Sequence, residues 1–304
     1  MKRAFIFPGQ GSQAVGMGKE LADAFAVARE TFQEIDDALG QNLTKLMWEG
    51  PSDDLVLTEN AQPALMAVSM ATMRVLESEG GFKLADQAAY VAGHSLGEYS
   101  ALAAAGTFGL ADTARLLKIR GQAMQKAVPV GEGAMAALLG LDFETAQAVA
   151  EEAAQGEVCQ AANDNAPGQV VISGTKAAVE RAIVLAKEKG AKRAMALPVS
   201  APFHCTLMQP AADAMAEALG AVTMHAPAVP LVANVIAEAV NDPNKIRELL
   251  VSQVTGRVRW RESVLWMAAQ EVEATIEVGT GKVLTGMSKR IDKSIAASAV
   301  GTPA

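Results

Sequence analysis

Cysteine and histidine are scarce in this chain. Its 304 residues include two cysteines, Cys159 and Cys205, and three histidines, with no CxxC and no metal-ligand spacing. That excludes a disulfide framework and a zinc site, and a reducing cytoplasm is the expected location. An excess of positive charge is missing too: 26 Lys and Arg face 34 Asp and Glu, for a net charge of −8. A nucleic-acid binder shows a basic footprint, so no nucleic-acid partner is expected. No apolar run approaches the roughly 20 residues that cross a bilayer, and the short one at the N-terminus is broken by Pro8, so neither a membrane span nor a signal peptide is read. Internal repeats are absent. What is plentiful is hydrophobic residue, half of the total, enough to bury a large core.

The stretch FIFPGQGSQA at 5–14 poses the first question. Arg3 to Phe7 reads as a buried strand, and Leu21, Phe25, Ala28, Phe32 and Ile35 predict one helix over 17–40. Gly9, Gly11 and Ala14 fit the permissive dinucleotide-binding pattern. Pro8 interrupts it, however, and after Asp36 and Asp37 comes a mixed, loop-like run over 40–60 rather than a strand ending in an acid. A plain strand-ending turn stays open. A proline-started helix is read from Pro63 to Glu79, with Met66, Met70 and Met73 as core filler.

The richest segment is AAYVAGHSLGEYSALAAAG at 88–106. An apolar strand runs into Gly93-His94-Ser95-Leu96-Gly97 and straight on into an alanine-rich helix. G-x-S-x-G acquires meaning in this strand–turn–helix setting, because a nucleophilic serine sits there on a sharp turn where only small neighbours fit. The helix beginning at the serine also aims free N–H groups and a positive dipole end at a developing oxyanion. Ser95 is the candidate nucleophile.

Three histidines compete to be its base. His94 adjoins the serine, so its ring diverges and supports the turn. His225 lies in a proline-flanked segment where a loop histidine is the default. His204, in SAPFHCTLMQP at 200–210, follows the serine as in hydrolase-like triads. By elimination His204 is the base, with a solvated loop histidine as the alternative. Cys205, adjacent to it, has no feature that lowers a thiol pKa.

Helical stepping places Arg120 inside the stripe formed by Ala114, Leu117, Gly121 and Met124. A lone buried charge is costly, so Arg120 is either half of an internal salt bridge or a bidentate clamp for a substrate carboxylate.

Residues 133–197 read as strand Gly133–Gly140, helix Asp142–Gln155, strands Val158–Asn163 and Gln169–Gly174, helix Lys176–Gly190 and strand Lys192–Leu197. This β-α-β-β-α-β order is ferredoxin-like. Beyond it come strand Pro230–Ile236, helices Pro243–Val254 and Arg257–Glu271, strand Thr275–Val278, and a glycine turn into the basic helix Val283–Ile291. That turn lacks a Walker pattern.

The combination of FPGQGSQ at 7–13, GHSLGE at 93–98, IRGQ at 119–122, PFH at 202–204, SQV at 252–254 and EVGTGKVL at 277–284 strongly resembles malonyl-CoA:acyl carrier protein transacylases, in order and over essentially the whole chain. The resemblance implies an α/β fold: an α/β-hydrolase-like catalytic domain over 1–127 and 198–304 with a mostly parallel sheet, and an inserted ferredoxin-like subdomain over 128–197. It implies that Ser95 takes the malonyl group, His204 serves as base and then acid, and Arg120 holds the malonyl carboxylate. The N–H groups of Gln10 and Leu96 form the oxyanion hole in that family, and the Gln253 carbonyl orients His204. Phe203 is a position where selectivity varies. Malonyl-CoA and acyl carrier protein are the implied partners, with Lys282, Lys289 and Arg290 as part of a docking patch. Neither a metal nor another cofactor is expected, and a monomer is. A serine esterase or thioesterase, a polyketide-serving acyltransferase and a non-catalytic carrier-binding protein are the alternatives.

Overall fold

The computed structural model describes residues 1–199 and 201–303. Strand β1 (Arg3–Phe7) leads to helices α1 (Lys19–Ala24), α2 (Ala26–Leu39), α3 (Leu43–Glu49), α4 (Ser52–Leu55), α5 (Thr58–Gly80) and α6 (Leu84–Gln87). Strand β2 (Tyr90–Gly93) then enters α7 (Gly97–Ala104) and α8 (Leu110–Lys126). The next segment is β3 (Gly133–Leu139), α9 (Phe143–Ala154), β4 (Cys159–Ala166), β5 (Gln169–Thr175), α10 (Lys176–Glu188) and β6 (Arg193–Ala196). Last come α11 (Gln209–Gly220), β7 (Leu231–Ala233), β8 (Glu238–Val240), α12 (Pro243–Thr255), α13 (Trp260–Ala269), β9 (Ala274–Val278), α14 (Val283–Ile291) and β10 (Ala296–Val300).

Two sheets result. One has six strands in the order β10-β9-β1-β2-β7-β8, parallel except for the β7–β8 hairpin. The other has four, β4-β5-β3-β6, all antiparallel, the ferredoxin-like arrangement. The fold is therefore α/β with a mostly parallel sheet and a separate antiparallel one. Parallel strands need both faces covered, and Ile6, Ala92 and Trp260 pack on one face while Phe5, Phe7, Val91 and Leu96 join the larger core on the other. Met66, Met70 and Met73 are buried in that larger core.

Several expected elements differ. The helix expected over 17–40 is two, because Phe25 takes extended dihedrals between them. The loop-like run over 40–60 contains α3, whose Asn42 side chain caps the Lys45 N–H, and α4. Helix α5 starts at Thr58, so Pro63 lies inside it and does not begin it; the apolar faces of residues 64–73, all buried, override the local proline signal. Strand β7 stops at Ala233 and turns back as β8.

Candidate active site

Strands β1 and β2 pair in register, Phe7 with Gly93, so their C-terminal turns meet at one sheet edge. Ser95 sits at φ 54, a left-handed backbone that costs a non-glycine residue about 1–3 kcal/mol. A Cβ on Gly93 would come 1.9 Å from the Gly97 carbonyl carbon, and one on Gly97 2.3 Å from the Phe7 carbonyl oxygen. Both flanking positions must therefore be glycine for strand and helix to approach so closely. Asn234, just beyond β7, holds the strained turn: its Oδ1 accepts from the Ser95 N–H at 2.8 Å, and its Nδ2 donates to the Gly93 carbonyl at 2.7 Å.

Ser95 Oγ lies 2.7 Å from His204 Nε2 and accepts from Arg120 Nη2 at 3.1 Å. His204 is 4 % exposed, so the solvated-loop alternative does not hold. Its Nδ1 is 2.8 Å from the Gln253 carbonyl and 3.2 Å from that of Gly256. A carbonyl can only accept, so Nδ1 carries the hydrogen and Nε2 is the bare nitrogen facing the serine hydroxyl. Burial, then the nearby Arg120 charge, hold His204 down to about 3, which keeps the ring neutral at physiological pH. A backbone carbonyl stands where a triad has its acid.

Arg120 is 1 % exposed. Its Nη1 donates to Gln62 Oε1 at 2.7 Å and its Nη2 to Gln253 Oε1 at 2.8 Å, besides Ser95. Among the described residues no carboxylate lies within ion-pair distance of it, so the internal salt bridge is not formed. Its Nε and the Tyr99 hydroxyl are both buried without a partner. The site thus presents a buried cation with no carboxylate partner among the described residues, beside a serine–histidine pair.

Gln10 follows β1 in a loop pressed against the turn, where a Cβ on Gly9 would lie 2.6 Å from the His94 carbonyl oxygen. Its side-chain Oε1 accepts from Thr58 Oγ1 at 2.9 Å. Neither its N–H nor that of Leu96, which caps the start of α7, meets an acceptor among the described residues. Gln253, on α12, gives its carbonyl to His204 and its side chain to Arg120, Glu98 and the Ser95 carbonyl. Ser95, His204, Arg120, Gln253, Leu96 and the Gln10 loop therefore converge on one edge. Phe203, 8 % exposed, adjoins His204.

Other expected residues lie elsewhere. His94 turns away to Asn165 Oδ1 at 2.8 Å, tying the turn to the four-stranded sheet, while His225 is exposed. Cys205 is buried, donates to the Pro202 carbonyl at 3.2 Å, and has its thiol pKa raised by burial. Lys282 stands at the N-terminus of α14 and Lys289 and Arg290 in its last turn, Arg290 bonded to Gln169. The Glu277 carboxylate takes the N–H groups of Leu284 and Thr285 and so occupies the helix start that the glycine turn offers an anion. No group of potential metal ligands occurs among the described residues, and no described helix is long and apolar enough to cross a membrane.

Gln62, Glu98, Asn165 and Asn234 carry no motif that marks them, although Glu98 in an Ala/Leu-rich helix and Asn234 in the apolar run LVANVI are visible anomalies.

The profile of the acyl transferase domain family matches residues 4–301. The chain belongs to this acyl transferase family. The acyl transferase is 50 % identical over 300 residues to a malonyl CoA-acyl carrier protein transacylase of Escherichia coli K12, covering 99 % of this chain and 96 % of that one. It is 45 % identical to the protein of the same name from Bacillus subtilis, covering 99 % and 94 %. The solved acyl-carrier-protein-S-malonyltransferase of Bartonella henselae superposes with a TM-score of 0.98 at 59 % identity, covering 100 % of this acyl transferase and 96 % of that chain. A malonyl-transacylase solved in complex with its type II PKS acyl-carrier protein gives 0.96 at 45 %, covering 99 % and 96 %.

Proposed function

We propose that this acyltransferase moves the malonyl group of malonyl-CoA to the phosphopantetheine thiol of an acyl carrier protein, by a ping-pong route through a malonyl ester on Ser95. One observation carries the reading: Ser95 Oγ lies between a neutral imidazole at 2.7 Å and an unneutralised buried guanidinium at 3.1 Å. The first is what a nucleophile needs and the second is what a free carboxylate needs.

In the first half-reaction His204 Nε2 takes the Ser95 proton as Oγ attacks the thioester carbonyl. The N–H groups of Gln10 and Leu96 hold the oxyanion, and coenzyme A leaves with the proton from His204. In the second, the carrier thiol gives its proton to His204 and attacks the ester, and Ser95 leaves with that proton. A thioester is activated enough that a dyad oriented by the Gln253 carbonyl suffices without an acid. No metal or cofactor enters the cycle.

Arg120 accounts for selectivity twice. Acetyl-CoA would leave the guanidinium without its anion, which a site built for a polar group rejects strongly. The Arg120 charge also depresses His204, so a bound carboxylate that neutralises it makes His204 a stronger base. The carrier would dock near Lys282, Lys289 and Arg290. The reading places the enzyme in the cytoplasm, serving fatty acid synthesis as a monomer.

The test is intact-protein mass after brief exposure to malonyl-CoA or acetyl-CoA. A malonyl adduct on the wild type, lost in Ser95→Ala and joined by acetyl adducts in Arg120→Ala, is expected. Absence of any adduct on folded wild type, with free acid accumulating, would replace this reading by a thioesterase.

A further inference from the structure

One buried acid takes no part in the proposed cycle. Glu98, in the first turn of α7, is 2 % exposed, and among the described residues no cation forms an ion pair with it. Its Oε1 accepts from the Asn234 backbone N–H at 2.8 Å and its Oε2 from the Gln253 side-chain amide. The oxygen of that same amide accepts from Arg120 at 2.8 Å. Glu98 and Arg120 are thus an acid and a cation with one neutral amide between them. A direct contact between the two would spend the guanidinium donors on the acid. The inserted amide keeps the acid near without a direct contact between it and Arg120.

Resting on the reading of Arg120 as the carboxylate clamp, we propose that Glu98 is a specificity-determining positioning residue: a substrate carboxylate binds well at Arg120 while Glu98 is neutral, and poorly once Glu98 is ionised. Two negative charges cannot share one buried guanidinium on equal terms. Gln253 can hold Arg120 in either state of the acid. Gln253 Nε2 has three acceptors for its two hydrogens, because the Ser95 carbonyl at 2.9 Å and Asn234 Oδ1 at 3.4 Å also face it. When Glu98 takes a proton, Gln253 keeps both hydrogens bonded and does not release Arg120.

Burial pushes Glu98 up to about 8, against the lowering effect of its two hydrogen bonds and of Arg120. Its ionisation therefore falls in the mildly alkaline range. Of the groups around it, Arg120 from α8 is lowered by burial, Tyr99 from its own helix is raised, and His204, across the serine, is held at about 3. His94, on the far side of the turn, is lowered by burial.

The experiment measures KM for malonyl-CoA in Ser95 loading from about pH 7 to about pH 9.5, alongside acetyl-CoA. In the wild type, KM for malonyl-CoA should rise on the order of ten-fold, the scale of one like-charge interaction at an effective dielectric near 20. Glu98→Gln, which mimics the neutral acid, should keep the low value throughout, and acetyl-CoA should show no such rise in either protein. A flat wild-type profile, or an identical rise in Glu98→Gln, overturns the proposal; the second result would assign the titration to Arg120. Arg120→Met separates the two ideas: if it leaves malonyl preference intact the clamp reading itself fails, and if preference is lost while the wild-type profile is flat only the role of Glu98 fails. Should Glu98→Gln not fold, calorimetry on Ser95→Ala in two buffers of different ionisation heat decides. Proton uptake near pH 9 with malonyl-CoA and none with acetyl-CoA supports the coupling, and equal values refute it.

Discussion

The two sheets bury very different chemistry. The core of the four-stranded sheet is aliphatic, built from residues such as Leu138, Val149, Ile172 and Ala182. Most of its buried polar groups line one strand: in β4, Asp164 pairs with Arg261 on α13 and Asn165 with His94 in the turn after β2. The C-terminal edge of the parallel sheet instead buries Glu98, Arg120, His204, Asn234 and Gln253 in one hydrogen-bonded cluster. Every buried polar group must find a partner or cost free energy. In the smaller unit the buried polar residues cluster at the seam, with Ser173 on β5 as an exception. In the larger one that rule produces a hydrogen-bonded network that reaches Ser95 through His204, Arg120 and Gln253.

Three measurements would break or sharpen this contrast. The largest effect belongs to His204→Ala, which should slow malonyl loading by about 10²–10⁴-fold while the unfolding midpoint moves little, the measure of a general base. Loading within ten-fold of wild type would mean that the edge network is structural. Next, Ile172→Ala in the aliphatic core should cost about 2–5 kcal/mol in denaturant unfolding yet leave loading per folded molecule unchanged. A fall in the chemical rate instead would show that the smaller unit shapes the site beyond its seam.

Last comes the acid limb. His204 titrates near 3 when folded against 6.5 when unfolded, so between those values the unfolded chain binds the extra proton. Stability is then lost as pH falls below about 6.5 and the loss levels off near 3. His204→Gln should show a shallower decline over that interval. Glu98 acts with the opposite sign: raised from 4.5 to about 8, it removes stability as pH climbs between those values. Identical acid limbs in the two proteins would mean that His204 is not buried neutral.

The elbow was legible because local sterics write it: with Cβ clearances near 2 Å at Gly93 and Gly97, the turn that exposes Ser95 leaves its signature in consecutive letters. The ferredoxin-like order was legible for the same kind of reason, since strand and helix periodicity is local. Arg120 announced itself as a charge in an apolar stripe, but not its partners. The early start of α5 escaped because burial of residues 64–73 overrode the local proline signal, and the break at Phe25 left no mark in the helical spacing.

The sequence by itself determined which residue types could do chemistry and the strained turn that carries one of them. The tertiary structure alone decided that residues 62, 95, 98, 120, 204, 234 and 253 share one buried cluster. It also decided that Gln253, with its amide, separates Glu98 from Arg120. The reason is physical: partner choice for a buried polar group depends on which segments the parallel sheet brings to one edge, and that is set by packing across the whole chain, not by any neighbour in sequence.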